Sequence, residues 1–116
     1  MIVVGVDDLM FSSRISSAAK AAGVEIRFAR SPQAIVDAVR KTAARLVILD
    51  LNSQRVAPLD AVVALKGDAA LAQTAIVGFV SHVQADLIAQ AREAGVDRVM
   101  ARSAFVVELP QLLRSP

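Results

Sequence analysis

Leu46-Val47-Ile48-Leu49-Asp50 is the stretch on which the fold turns. Its apolar residues run without polar alternation, as in a strand covered on both faces, and such strands belong to parallel sheets. The run ends on a carboxylate. Upstream, Ile2-Val3-Val4-Gly5-Val6 has the same character and ends on a carboxylate pair, Asp7-Asp8. Downstream, Ala75-Ile76-Val77-Gly78-Phe79-Val80 reads as a fourth strand and Val99-Met100-Ala101 as a short fifth. Val24, Ile26 and Phe28 alternate with Glu25 and Arg27, the pattern of a second strand with one wetter face, at an edge.

Between these runs the apolar period changes to that of a helix. Phe11, Ile15, Ala18, Ala19 and Ala22 form one stripe, stopped by Gly23. Ser31-Pro32 opens a second helix, serine as N-cap and proline in its first turn, with Ile35, Ala38, Val39 and Ala43 as its stripe. Leu59, Val62, Val63 and Leu65 mark a third, closed by Gly67, and Asp86 to Ala94 a fourth, stopped at Gly95. The last helix is expected to be brief, with Pro110 in its first turn, because proline lacks the N–H an interior position needs. Strands alternating with helices imply βαβ units and helices on both faces of a parallel sheet. The expectation is an α/β, doubly wound, five-stranded flavodoxin-like fold of strand order 2-1-3-4-5, with residues 1–116 as one domain.

Composition narrows the function. The 116 residues are 55% apolar, with a mean hydropathy of +0.53. No run approaches the ~20 apolar residues of a membrane span. The first residues meet Asp7-Asp8 too early for a signal peptide, so a cytoplasmic location is expected. Absence of cysteine rules out disulfides and thiolate metal sites. A net charge of +2 and four phenylalanines as the only aromatics speak against a nucleic-acid surface. Arg27, Arg30, Arg40, Lys41, Arg45 and Arg55 could gather as a basic patch, although the interspersed Glu25 and Asp37 favour a solvated face. His82 is the only histidine and, without a second ligand or an acid–base partner, reads as a solvated loop residue.

Open parallel sheets bind ligands beyond the carboxyl ends of their strands, at the switch point, here between strands one and three. That rule brings Asp7, Asp8 and Asp50 together. Carboxylates so close repel, so they bind a cation or take up a proton. An oxygen-only set suits Mg²⁺, and a carboxylate beside such an ion can attack a phosphoryl group. For any one aspartate alone the better reading is a solvated side chain or a helix cap; it is the trio at a switch point that favours an acidic pocket.

The acidic pair after a buried first strand, Asp50 after Leu46-Val47-Ile48-Leu49, and Arg92-Glu93-Ala94-Gly95-Val96-Asp97 at the end of helix four together resemble response regulator receiver domains of two-component, CheY-like systems. The resemblance spans nearly the whole chain. It implies Asp50 as phosphoacceptor, and Asp7, Asp8, Asp50 and the backbone of Asn52 as Mg²⁺ ligands. As partners it implies a histidine kinase and a protein docked on the helix 4–strand 5–helix 5 face. The departures are specific. The family's switch threonine or serine falls on Val80, its switch aromatic on Val99 and its lysine on Arg102, with Ser103 where a proline follows. Valine cannot donate a hydrogen bond to a phosphoryl oxygen, and position 80 is expected to present hydrocarbon to the acidic cleft. Ser81 could substitute only if strand four slipped by one residue, which would reverse every side chain in it. Phe105, Val106, Leu109, Leu112 and Leu113 on the last helix either complete the core or offer a surface for a homodimer or partner helix.

Three readings follow: a degenerate, non-enzymatic receiver acting through protein–protein contacts; a conventional phosphorelay receiver phosphorylated on Asp50; and a small Mg²⁺-dependent phosphoryl-transfer or ligand-binding domain.

Overall fold

In a computed structural model, describing residues 1–81 and 84–114, the buried runs form the strands of one sheet. The elements are β1 (Ile2–Gly5), α1 (Leu9–Ala22), β2 (Ile26–Phe28), α2 (Pro32–Thr42), β3 (Leu46–Asp50), α3 (Pro58–Gly67), β4 (Ala75–Val80), α4 (Ala85–Ala94), β5 (Arg98–Ala101) and α5 (Arg102–Arg114). The strands are all parallel, in the order β2-β1-β3-β4-β5, as the alternation requires. β2 is an edge strand that pairs with β1 alone, and Arg27 is its exposed residue. No helix among the described residues is long and apolar enough to cross a membrane. His82 lies outside the described residues.

Successive strand residues face opposite sides of the sheet, and two cores result. Ile2, Val4, Ile48, Val77 and Phe79 pack with Phe11, Ile15 and Ala19 of α1 and Phe105, Leu109, Leu112 and Leu113 of α5. Val3, Val47, Leu49, Ile76 and Val80 pack with side chains of α2, α3 and α4. Parity along the strand thus assigns every side chain near the site to one face or the other.

Local signals set most helix ends. Asp8 caps α1 through Phe11 N–H at 2.9 Å. Ser31 caps α2 through Ala34 N–H at 3.1 Å with Pro32 just inside, and Gly23 closes α1 with φ 69°. Two expectations fail. Ala43 does not extend the apolar stripe of α2: it is an exposed C-cap at φ 51°, and Ala44 enters the core instead. That left-handed conformation favours glycine, so alanine gave no stop signal.

The last helix is not brief, and Pro110 is not in its first turn. α5 runs for 13 residues with Pro110 inside it. An interior proline costs about 3 kcal/mol. Against this, Phe105, Leu109, Leu112 and Leu113 are each at most 8% exposed, and a large apolar side chain contributes about 1.5–3 kcal/mol on burial. Four such side chains outweigh one missing hydrogen bond. They also settle the use of that stripe: these residues complete the core, Val106 is half-buried, and Val107, at 80% exposed, is the large apolar residue α5 leaves in solvent.

Candidate functional site: an acidic cleft with arginine counter-ions

β1 and β3 are neighbours, with Gly5 beside Leu49. The acids that follow each strand therefore emerge at the same end of the sheet. Asp50 is 6% exposed. Its Oδ1 accepts Asn52 N–H at 3.0 Å, and its Oδ2 lies 3.9 Å from Arg102 Nη2. Burial pushes the Asp50 carboxyl above its ordinary pKa; the Asn52 N–H and Arg102 oppose the rise, while the charges of Asp8 and Asp7 add to it. The three acids thus share one electrostatic cleft, as the switch-point rule demands.

Each acid is nevertheless engaged by protein. The Asp8 side chain caps α1. Asp7 Oδ1 lies 3.4 Å from Arg55 Nη1 and 3.9 Å from Arg30 Nε. Arg30 is anchored besides: its Nε donates to the Val6 carbonyl at 3.1 Å and its guanidinium lies 5.1 Å from the Phe28 ring centroid. The arginines weighed as a basic patch against a solvated face are accordingly dispersed. Arg30 and Arg55 turn to Asp7, Arg40 pairs with Asp68 at 2.6 Å, and Arg45 donates to the Leu113 carbonyl at 2.7 Å.

An oxygen-only donor set is right for a hard divalent ion, but the arrangement is not. Among the described residues no three aspartate, glutamate, histidine or cysteine side chains form a group that could hold a metal ion. The expected ligand set of Asp7, Asp8, Asp50 and Asn52 is therefore not assembled as folded, because Asp7 and Asp8 are spent on guanidinium groups and a helix cap. Asn52 instead links loops: its Oδ1 accepts Ser81 N–H at 2.7 Å and its Nδ2 donates to Gln84 Oε1.

The positions that matched the family's switch lie as follows. Val80, 1% exposed, belongs to the core under α2, α3 and α4, so its hydrocarbon does not face the cleft. The β4 residue in register with Asp50 is Phe79. The reason is parity: position 80 is one residue past the pairing partner of Asp50 and points the other way. Ser81 lies just beyond β4, with no slip of register, and is exposed. Val99 is half-buried against the same core as Val80.

Arg102 opens α5 and is the residue that most shapes the cleft. Its guanidinium carbon sits 4.6 Å from the Phe11 centroid and 5.8 Å from that of Phe79. Those rings and Phe105 form a cluster with centroids 4.6–5.7 Å apart. Arg102 Nε is buried with no hydrogen-bond partner among the described residues, so the ring faces supply much of what holds the group. Sequence reasoning missed this floor. The signal available was Phe11, Phe79 and Phe105 in three elements on one face, legible only once the sheet is assembled. Beside it opens a cavity of about 690 Å³ lined by Asp8, Met10, Phe11, Arg14, Ser81 and Arg102 among others.

No family model matches the chain, and no curated protein does. Solved structures do. A response regulator from Hahella chejuensis superposes with a TM-score of 0.84 at 18% identity, covering 97% of this chain and 90% of that one. One from Burkholderia multivorans gives 0.73 at 27% identity, covering 99% and 94%. The Mn²⁺-bound form of the response regulator Rcp1 gives 0.73 at 16% identity, covering 97% and 88%. The chain has the receiver-domain fold of two-component response regulators. Its cleft carries arginines at 30, 55 and 102, β4 ends on Val80, and Ser81 follows just beyond the strand.

Proposed function

We propose that this chain is a non-enzymatic, receiver-like signalling module that acts by docking a protein partner through the α4–β5–α5 face, with phosphorylation of Asp50 lost or uncoupled from that face. The observation that carries this reading is the placement of Arg102, 3.9 Å from Asp50 and stacked on Phe11 and Phe79. A receiver that switches needs a side chain that is free to move when the phosphoryl group arrives. Here the cation nearest the acceptor is held over a packed aromatic floor, and Val80 offers no hydrogen bond and faces the opposite core. Across the proposed docking face, Arg98 holds Glu108 through two contacts, at 2.9 and 3.1 Å, tying β5 to α5.

The test is to incubate the protein with Mg²⁺ and a small phosphodonor, weigh it, and record amide spectra. The expected result is that resonances of α4, β5 and α5 stay in place, with or without a mass adduct. An adduct that disappears in Asp50→Asn and moves those resonances would establish a conventional phosphorelay receiver instead, with a histidine kinase as its natural donor. Turnover of a phosphate ester would establish the enzymatic reading.

A further inference from the structure

We propose that the cavity between α1 and α5 binds a small amphipathic anion, its apolar body in the groove and its carboxylate or phosphate head on Arg14 and Arg102. The proposal does not depend on whether Asp50 is phosphorylated. At about 690 Å³ the cavity falls within the range of small-molecule sites. Met10, Phe11, Ala101 and Val106 give it apolar walls, and Ser81 and Ser103 add hydroxyl groups. Asp50, the acid that ends β3, is not part of the lining.

The charge of the lining selects the ligand. It holds two guanidinium groups and one carboxylate, Asp8, which is spent on capping α1 through Phe11 N–H at 2.9 Å. Neither arginine donates a hydrogen bond to any described residue. Arg14 is exposed on α1, and Arg102 has Asp50 at 3.9 Å, beyond hydrogen-bond reach, with its Nε buried and unpartnered. The planar fork of a guanidinium matches a carboxylate or a phosphate. Phe11 and Phe79 already hold the Arg102 group, at 4.6 and 5.8 Å from their ring centroids, so little of its freedom is lost on binding. Met10, at 86% exposed, is a flexible side chain suited to covering an apolar chain of varied shape.

Amide spectra recorded during titration with octanoate test the site. Saturable shifts are expected at Phe11, Arg14, Ser81 and Ser103. Octylammonium, with the same chain and the opposite charge, should give none. Octyl phosphate in a parallel titration separates the two heads, and whichever anion binds more tightly names the head while supporting the proposal. Arg14→Gln should weaken octanoate binding about two- to fivefold, the range an exposed ion pair supports. Arg27→Gln removes the same charge from the exposed position of β2 and should change nothing. Ser103→Phe, at an exposed position of α5 where a larger side chain displaces no core, should abolish binding by filling the cavity. The proposal is overturned by the absence of saturable shifts with both anions, by octylammonium binding as well as octanoate, or by undiminished binding in Arg14→Gln or Ser103→Phe.

Discussion

Phe79→Ala is expected to lose about 3–5 kcal/mol of stability, the usual cost of deleting a buried phenyl ring. Phe79 is fully buried, with its ring centroid 4.8 Å from that of Phe11 and 4.6 Å from that of Phe105. Removing it opens a cavity between two elements, α1 and α5, that meet only across this face of the sheet. Domains have about 5–15 kcal/mol in total, so the variant would be marginal. Thermal or urea unfolding measures the loss. Phe79→Leu, which refills most of the volume, should recover the greater part of it. The alanine variant should also unseat Arg102, whose guanidinium lies over the rings of Phe11 and Phe79. A loss below about 1.5 kcal/mol, in the range of a tolerated core swap, would mean that the aromatic floor is not the support it looks to be.

Asp50→Asn should act in the opposite direction. At neutral pH it is expected to stabilise the chain by about 1 kcal/mol, as substitutions at functional sites often do, which is about 3–6 °C in Tm for a domain of this size. The cause is that burial, aided by Asp8 and Asp7, raises the Asp50 carboxyl above its ordinary value of 3.8. The folded state then holds the proton more tightly than the unfolded one. Stability at this position is fully present below the unfolded value and is lost as pH rises through the raised folded value. The amide does not titrate and can still accept the Asn52 N–H. The gap between variant and parent should therefore be widest near pH 7 and close as pH falls toward 4. A variant less stable than the parent at pH 7 would show that the ion pair with Arg102 outweighs both burial and the neighbouring acids.

Much was legible in the sequence because its signals are local. Continuous apolar runs, a change of period from two to 3.6, Ser31-Pro32, Gly23 and Gly95 are statements about a few neighbouring residues, and together they determined the parallel sheet, its order and the strand ends that carry Asp7, Asp8 and Asp50. The misreadings have a common origin. The backbone chemistry of Pro110 alone points to a first turn, yet burial of Phe105, Leu109, Leu112 and Leu113 overrides that preference. Ala43 carries no local mark of the left-handed cap it forms.

The cleft itself belongs to tertiary structure. Which acid meets which base, that Val80 faces away while Phe79 stands beside Asp50, and that Arg30, Arg55 and Arg102 gather around acids up to 52 positions away are consequences of strand register and side-chain parity. The chain by itself placed the carboxylates, because strand ends are written in adjacent residues. Only the assembled sheet chose their counter-ions, because a charge finds its partner by distance in space, and that distance exists only after the strands have paired.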